Sequence, residues 1–398
     1  MLIGLVGKPS AGKSTFFKAA TLAEVEIASY PFTTIKPNTG VGYVKIDCID
    51  KEFNTQCNPQ HGYCLKGKRF VPVEIMDVAG LVPGASEGKG LGNQFLDDLR
   101  QADVFIHVVD CSGKTDSEGK AVEFSESGKG HDPSLDVRFL EEELNKWFFN
   151  ILMKAWTTFS KRVDQEGNFV HSIIKQFSGL KVTEEEVKRV LLKVNLSEKP
   201  GMWKPEDLMK FASGLRKESK PIIIAANKID LEKSNENFEN LKKNFPGIPI
   251  VPCSADSELA LKEASKADLI DYVPGEDNFE IKKDLTDKQK EALNNIKKNV
   301  LDVYGNTGVQ DTLNYAVFEL LGYLPIFPAS ANKLGDSKGN ILPDCFLLPP
   351  GSTALDFAFF LHTDFGKNFI KAIDARTKRA LGKAYVLKPR DALEIVTR

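Results

Sequence analysis

Apolar residues run almost unbroken through Leu2–Val6, through residues 71–76 apart from Pro72 and Glu74, through 221–226 and through 248–253. Short apolar runs closed by Gly, Pro, Asn or Asp predict strands buried on both faces, the mark of a parallel sheet. Residues 14–20 predict a helix directly after the first strand. From 135 to 161 the spacing changes: Phe139, Leu140, Leu144, Trp147, Phe148, Ile151, Leu152, Ala155, Trp156 and Phe159 recur at helical intervals. Thr183-Glu184-Glu185-Glu186 is a capping box before Val187, Val190 and Leu191, and Pro205 occupies a favoured first-turn position. Residues 111–217 therefore predict a helical insert whose aromatic stripe forms its own core. Residues 268–303 read as mostly helical and Lys-rich, and 308–321 as a more apolar helix. After Tyr323 the pattern restarts, with strands at Leu324–Pro328 and Phe346–Leu348, a helix over 354–362, and strands at Phe369–Asp374, 384–387 and 392–396. The whole is α/β, with a small separate unit at the end.

Chemistry sits where these strands stop. Gly7-Lys8-Pro9-Ser10-Ala11-Gly12-Lys13-Ser14 joins the first strand to the first helix, the setting of a phosphate-binding loop. Its glycines let backbone N–H groups turn inward, Lys13 reaches the β and γ phosphates, the Ser14 hydroxyl suits Mg²⁺, and Thr15 continues the loop. The strand over 71–76 delivers Asp77-Val78-Ala79-Gly80, with Asp77 toward Mg²⁺ and the Gly80 N–H toward the γ-phosphate. A Gly-rich run over 84–92 follows, able to change conformation with nucleotide state. The strand over 221–226 leads into Asn227-Lys228-Ile229-Asp230, whose carboxylate would accept both guanine N1–H and N2–H. Asn227 and Lys228 brace base and phosphate loop, and Ser254-Ala255-Asp256 offers a backbone N–H to guanine O6. Four motifs in this order imply GTP. Ser330-Ala331-Asn332-Lys333-Leu334-Gly335-Asp336 imitates the guanine motif but sets its Asp one residue too far.

Composition narrows the context. The 398 residues are 42% hydrophobic, enough for two or three domains, and 53 Lys and Arg against 55 Asp and Glu leave a net charge of −2. No chain-wide bias points to nucleic acid or membrane. With no export signal and no apolar stretch of spanning length, a soluble, cytoplasmic protein with mostly reduced cysteines is expected. Oligomeric state is not legible.

The motif series resembles the Obg-like GTPases, specifically the YchF-type subgroup in its archaeal form, over nearly the whole chain. Tyr30-Pro31-Phe32-Thr33-Thr34-Ile35-Lys36-Pro37-Asn38 in a first switch, the stretch over 77–93 and the C-terminal segment carry the likeness. The resemblance implies a P-loop NTPase with a Ras-like G domain over 1–323, interrupted by the insert over 111–217, and a β-grasp TGS domain over 324–398. It implies a slow GTPase tied to ribosomes or translation, in which the first-switch threonine, carried to Thr34 rather than Thr33, ligates Mg²⁺ in the GTP state. Lys13, Thr34 and Gly80 are then the catalytic set. Leu81 occupies the place of a water-orienting Gln and cannot hydrogen-bond water. The replacement is open among backbone groups, a cation, His131 and a group from a partner. Ser10 stands where potassium-activated relatives carry Asn, so K⁺-independent turnover is expected. Two alternatives stand beside this reading: a GTP sensor without appreciable hydrolysis, kept alive by Leu81, and an ATP-using relative, disfavoured by the intact 227–230 loop.

Leu348-Pro349-Pro350-Gly351-Ser352-Thr353, Ala375-Arg376 and Leu387-Lys388-Pro389-Arg390-Asp391 resemble a TGS domain, which implies RNA or ribosome contact. Residues 330–398 hold 11 basic and 7 acidic side chains, +4 against −6 for the remainder. That balance can meet rRNA phosphates or the acidic remainder of the same chain. Cys57-Asn58-Pro59-Gln60-His61-Gly62-Tyr63-Cys64, with Cys48 upstream, lacks CxxC spacing and leaves free thiols, a hairpin disulfide and a metal site all open.

Overall fold

A computed structural model describes residues 1–22, 38–78, 99–122, 130–154, 156, 159–161, 163, 168–197, 199–336 and 338–398. The main elements in chain order are β1 (Leu2–Val6), α1 (Lys13–Thr21), β2 (Thr39–Asp47), β3 (Tyr63–Leu65), β4 (Lys68–Asp77), β5 (Val104–Asp110), α2 (Pro133–Met153), α3 (Phe169–Gln176), α4 (Glu184–Val194), α5 (Pro205–Ser219), β6 (Ile222–Asn227), α6 (Ser234–Asn244), β7 (Ile250–Pro252), α7 (Ala255–Lys266), β8 (Ile270–Tyr272), β9 (Phe279–Ile281), α8 (Asp287–Ile296), α9 (Val309–Asn314), β10 (Leu324–Pro328), β11 (Phe346–Leu348), α10 (Ala354–Leu361), β12 (Phe369–Asp374), β13 (Ala380–Leu381) and β14 (Ala392–Thr397). They form two compact units, Met1–Phe17 with Ile75–Asp256, and Lys18–Glu74 with Ser257–Arg398.

In the first unit β1, β5, β6 and β7 lie side by side and parallel, in register Ile3↔Val104, Phe105↔Ile222 and Ile224↔Ile250. The Val78 N–H donates to the Leu5 carbonyl at 3.2 Å, which ties the end of β4 to β1. Every residue of β5 and β6 is buried, as uninterrupted apolar runs require. All carboxyl ends point the same way, so Val6, Asp77, Asp110 and Asn227 finish at one edge of the sheet.

The insert does not build a core of its own: its stripe packs into one buried cluster with Val6, Met76, Phe105 and Ile222 of the sheet. Asp132 caps α2 by accepting the Ser134 N–H at 2.9 Å, and α4 opens on the capping box at Thr183 and Glu186. Trp147, Phe148, Phe177, Trp203 and Phe211 gather in one buried cluster, and the Trp203 ring sits 5.6 Å from Trp156 and 5.3 Å from Phe211. The helix α3 was not anticipated, since its eight residues span barely two turns.

In the second unit β2 and β3 flank β4, and the Tyr63 ring stacks on Phe70 at 4.5 Å. Helix α9 completes the outer edge of β2: the Asn314 amide accepts Lys45 N–H at 2.8 Å and donates to Lys45 O at 2.9 Å, standing in for a neighbouring strand. The C-terminal sheet has the order β11-β10-β14-β12-β13, and Phe357 of α10 packs with Ile326, Leu348, Leu387 and Leu393. Sheet and helix together make the β-grasp.

Two further expectations are corrected. Residues 268–303 are not mostly helical: β8 and β9 pair antiparallel before α8 begins, joined through Pro274-Gly275. Three-residue strands are too short to show a period of two. Residues 384–387 form no strand, because the Tyr385 N–H turns back to the Gly382 carbonyl and Val386 makes only an isolated bridge to Thr353. The strand there is β13, ending before Gly382. Among the described residues no helix is long and apolar enough to cross a membrane.

The insert core supplies a direct test. Phe148 is fully buried, whereas Leu192 is 86% exposed. Phe148→Ala is expected to cost about 3–5 kcal/mol in urea unfolding, and Leu192→Ala less than about 0.5 kcal/mol.

Candidate functional site

The loop between β1 and α1 is fixed by its glycines. Gly7 and Gly12 have φ of 147° and 97°, and Ser10 is also left-handed at 60°. A Cβ on Gly7 would lie 2.4 Å from the Val108 carbonyl oxygen, and one on Gly12 2.2 Å from Asn227 Nδ2, so neither position admits a side chain. Lys13 folds back over this loop and donates to the Gly7 and Lys8 carbonyls at 3.0 and 2.9 Å. Burial lowers its pKa, and the charge of Asp77 opposes that shift. Ser14 Oγ donates to Asp77 Oδ2 at 3.1 Å. Pro9 and Thr15 are half-buried, Ser10 and Ser14 exposed, and Ala11 wholly buried.

The 227–230 loop is bonded to the phosphate loop. Asn227 Nδ2 donates to the Ala11 carbonyl at 2.9 Å, and its Oδ1 accepts the Ala255 N–H at 3.0 Å. One amide thus joins three segments. Lys228, left-handed at φ 63°, donates to the Ser10 carbonyl and to Asp110 Oδ2, both at 2.8 Å. Ser254 Oγ donates to Asp230 Oδ1 at 2.7 Å, which orients a half-buried carboxylate. Gly7, Lys8, Pro9, Ser10, Ala11, Gly12, Lys13, Ser14 and Thr15 are therefore brought together with Asn227, Lys228, Asp230, Ser254, Ala255 and Asp77 in one unit. Thr34, Gly80 and Leu81 lie outside the described residues.

The donor set fits a magnesium nucleotide. The cradle admits no Cβ at Gly7 or Gly12, the Lys13 ammonium bonds carbonyl oxygens among the described residues, and the Ser14–Asp77 oxygen pair is the hard donor type Mg²⁺ prefers.

Sequence reasoning missed two supports. Asp110 is fully buried, and it accepts Lys228 Nζ, Ser112 Oγ at 2.5 Å and Thr115 Oγ1 at 2.7 Å. Burial raises its pKa, but these bonds outweigh that and hold it below the usual carboxylate range. A carboxylate closing an otherwise apolar strand was the available signal. The second support lies behind the loop, where Lys8 Nζ sits 3.0 Å from Asp136 Oδ2 and His131 Nε2 2.8 Å from Asp136 Oδ1. His131 is thus a half-buried partner of Asp136. A cavity of about 380 Å³ adjoins this pair, lined by Gly7, Lys8, His107, His131, Asp136 and Phe139.

Comparison with known proteins gives consistent matches. Residues 2–136 match the family described as 50S ribosome-binding GTPase, 225–330 the Obg-like GTPase YGR210-like, G4 motif-containing domain, and 338–397 the TGS domain. A GTP-binding protein of Methanocaldococcus jannaschii is 47% identical, the match covering 100% of this chain and 99% of that one. The ribosome-binding ATPase YchF of Bacillus subtilis is 30% identical over 93% of this chain and 87% of its own. A crystal structure of a GTP-binding protein from Pyrococcus horikoshii superposes with a TM-score of 0.78 at 40% identity, covering 100% of both chains.

The cavity generates a pH prediction. Burial pushes the His107 pKa down to about 4 from 6.5, with Asp136 opposing and Lys13 and Lys8 adding to the shift. The unfolded chain then binds more protons than the folded one below pH 6.5. The stability contributed by neutral His107 is full above that value and lost as pH falls toward 4. Over this interval His107→Leu should lose less stability than the wild type, read as the unfolding midpoint against pH.

Proposed function

Because this chain belongs to the YchF-type group of Obg-like GTPases, we propose that it binds GTP, hydrolyses it to GDP and phosphate, and uses the nucleotide state to control engagement with the ribosome. The observation that carries the nucleotide reading is Asn227, which ties the base-reading loop to the phosphate loop by a single amide. Guanine then docks against Asp230, with the Ala255 segment beside it, and the triphosphate lies along the loop N–H groups.

In this reading water attacks the γ-phosphorus, the bond from that phosphorus to the β–γ bridging oxygen breaks, and GDP and phosphate leave. Lys13 moves from its loop carbonyls to the β and γ oxygens and spreads the developing charge. Gly80 donates its N–H to the γ-phosphate. Ser14, Asp77 and Thr34 would hold Mg²⁺, which when bound would neutralise charge on the phosphate oxygens. Leu81 offers the water no hydrogen bond, which favours slow turnover and keeps a sensing role without hydrolysis as the second reading.

Ribosome engagement rests on the family matches and on the C-terminal module, assigned here to 324–398. Arg376 Nε bonds Glu52 at 2.8 Å and Arg390 bonds the same carboxylate, so part of the basic surplus serves the chain itself. Exposed Lys371, Arg379, Lys383 and Lys388 stand on the same module. These are the groups offered to rRNA phosphates. The protein acts in the cytoplasm on this account.

Lys13→Ala should reduce steady-state phosphate release about 100-fold or more. Asp230→Asn should shift preference from GTP to xanthosine triphosphate. Phosphate release untouched by Lys13→Ala would remove the assignment of that lysine. Co-sedimentation with ribosomal subunits should be stronger with a non-hydrolysable GTP analogue than with GDP and should weaken as salt rises; equal pelleting in both states would contradict the switch.

A further inference from the structure

Away from the nucleotide loops, the second unit contains a concentrated set of soft ligands. Cys48 follows β2, Asp50 opens a short 3-10 turn over Asp50–Phe53, Cys57 precedes an irregular loop, and Cys64 lies in β3. The three Sγ atoms and a carboxylate oxygen of Asp50 all lie within 4.8 Å of one another, with Cys48, Asp50 and Cys57 buried and Cys64 half-buried. The Cys48 and Cys57 sulfurs are 3.7 Å apart, and all six cysteines of the chain are free thiols. A disulfide needs about 2.05 Å. Two thiolates on one tetrahedral Zn²⁺, each at about 2.3 Å from it, stand about 3.8 Å apart. The observed spacing is the edge of that tetrahedron.

Asp50 gives an independent reason. It is 2% exposed, yet its carboxylate accepts only backbone N–H groups, from Lys51 at 2.8 Å and from Cys57 at 3.5 Å. No Lys or Arg among the described residues pairs with it. Burying an ionised carboxylate without a cation is costly, and packing three weakly hydrogen-bonding thiols beside it does not compensate. A dication accepting all four groups removes both difficulties.

We propose that Cys48, Asp50, Cys57 and Cys64 form a closed structural Zn²⁺ site. Three thiolates select a thiophilic ion over Mg²⁺ or Ca²⁺, and four protein ligands leave no open position for catalysis. The site shapes the loop from Cys57 to Cys64, and that loop holds the segment entering β11. Asn58 N–H donates to the Ile341 carbonyl at 3.0 Å, Gln60 N–H to the Pro343 carbonyl at 2.8 Å, and His61 Nδ1 lies 2.5 Å from Asp344 Oδ1. Arg69, the cross-strand neighbour of Cys64, donates to the Leu342 and Pro343 carbonyls, both at 3.0 Å. Glu52, two residues past Asp50, receives Arg376 and Arg390. The ion therefore fixes the seat on which the C-terminal module rests, and its removal should loosen residues 341–344.

The test uses the full-length wild-type chain, purified anaerobically without a polyhistidine tag. Elemental analysis should find one zinc per chain. Exchange to Co²⁺ should give the visible bands of a tetrahedral ion with thiolate-to-metal charge transfer in the near ultraviolet. Chelation should speed amide exchange at 341–344 and expose the three thiols to alkylation together. Asp50→Asn should weaken metal binding about tenfold or more, and Cys345→Ala should leave it unchanged. The proposal is overturned by a chain that neither carries zinc nor takes it up under reducing conditions, by an octahedral Co²⁺ spectrum, by a Cys48–Cys57 disulfide in the anaerobic protein, or by metal loss in Cys345→Ala. Because the wild-type spectrum decides, a Cys57→Ser chain that failed to fold would not blur the result.

Discussion

The bond between Asn227 and the Ala11 carbonyl is the constraint from which the first unit follows. It requires that Gly12 carry no side chain and that β6 run on past Ile224, the residue level with Val6 of β1, to Asn227, whose amide also accepts the Ala255 N–H. Lys228 repeats the arrangement one residue on, reaching the Ser10 carbonyl while anchored to buried Asp110. Two consecutive residues thus hold the 227–230 loop and the phosphate loop at one separation. On the proposed reading a nucleotide would meet groups whose positions are already set, so little ordering cost would fall on binding.

The same economy explains the sheet. Parallel strands β1, β5, β6 and β7 end at one edge, and the apolar runs of β5 and β6 close there on the polar residues Asp110 and Asn227. Asp110 ends β5 and Asn227 ends β6, and the two are register partners across the pair. Burial does the positioning, and the polar terminal residue bonds the neighbouring loop. In the second unit the order of causes differs. There, side-chain bonds to backbone hold the segments, Asn314 at β2 and Arg69 at 342–343, and the cysteine cluster lies beside that set.

What was legible in the sequence follows from this division. Long apolar runs and phosphate-loop glycines act through local backbone physics, so the strand ends, the phosphate loop and the 227–230 loop were all readable, as was the capping box at Thr183. Asp110 was not, because its partner Lys228 is 118 positions away. The Lys8–Asp136–His131 group was hidden for the same reason: its members come from the phosphate loop and from the start of α2, and no local pattern joins them. The strands β8 and β9 were too short to declare a period, and the misplaced strand over 384–387 came from an apolar run that Gly382 and a turn had already displaced. Cys48, Cys57 and Cys64 were conspicuous in sequence, but their spacing alone allowed three chemistries. The sulfur separation and the buried Asp50 carboxylate, which no Lys or Arg among the described residues pairs with, are what the proposed metal site rests on.

The central claim is that the Asp230 edge, held by Asn227 and Ser254, reads guanine while relatives of this chain are named ATPases. Calorimetric titration of the nucleotide-free wild-type chain with GTP and with ATP, both with Mg²⁺, tests it most directly. A carboxylate left unpaired by adenine predicts GTP tighter by a factor of about 10⁴ or more. Equal affinity for the two nucleotides, or a preference for ATP, would contradict the account.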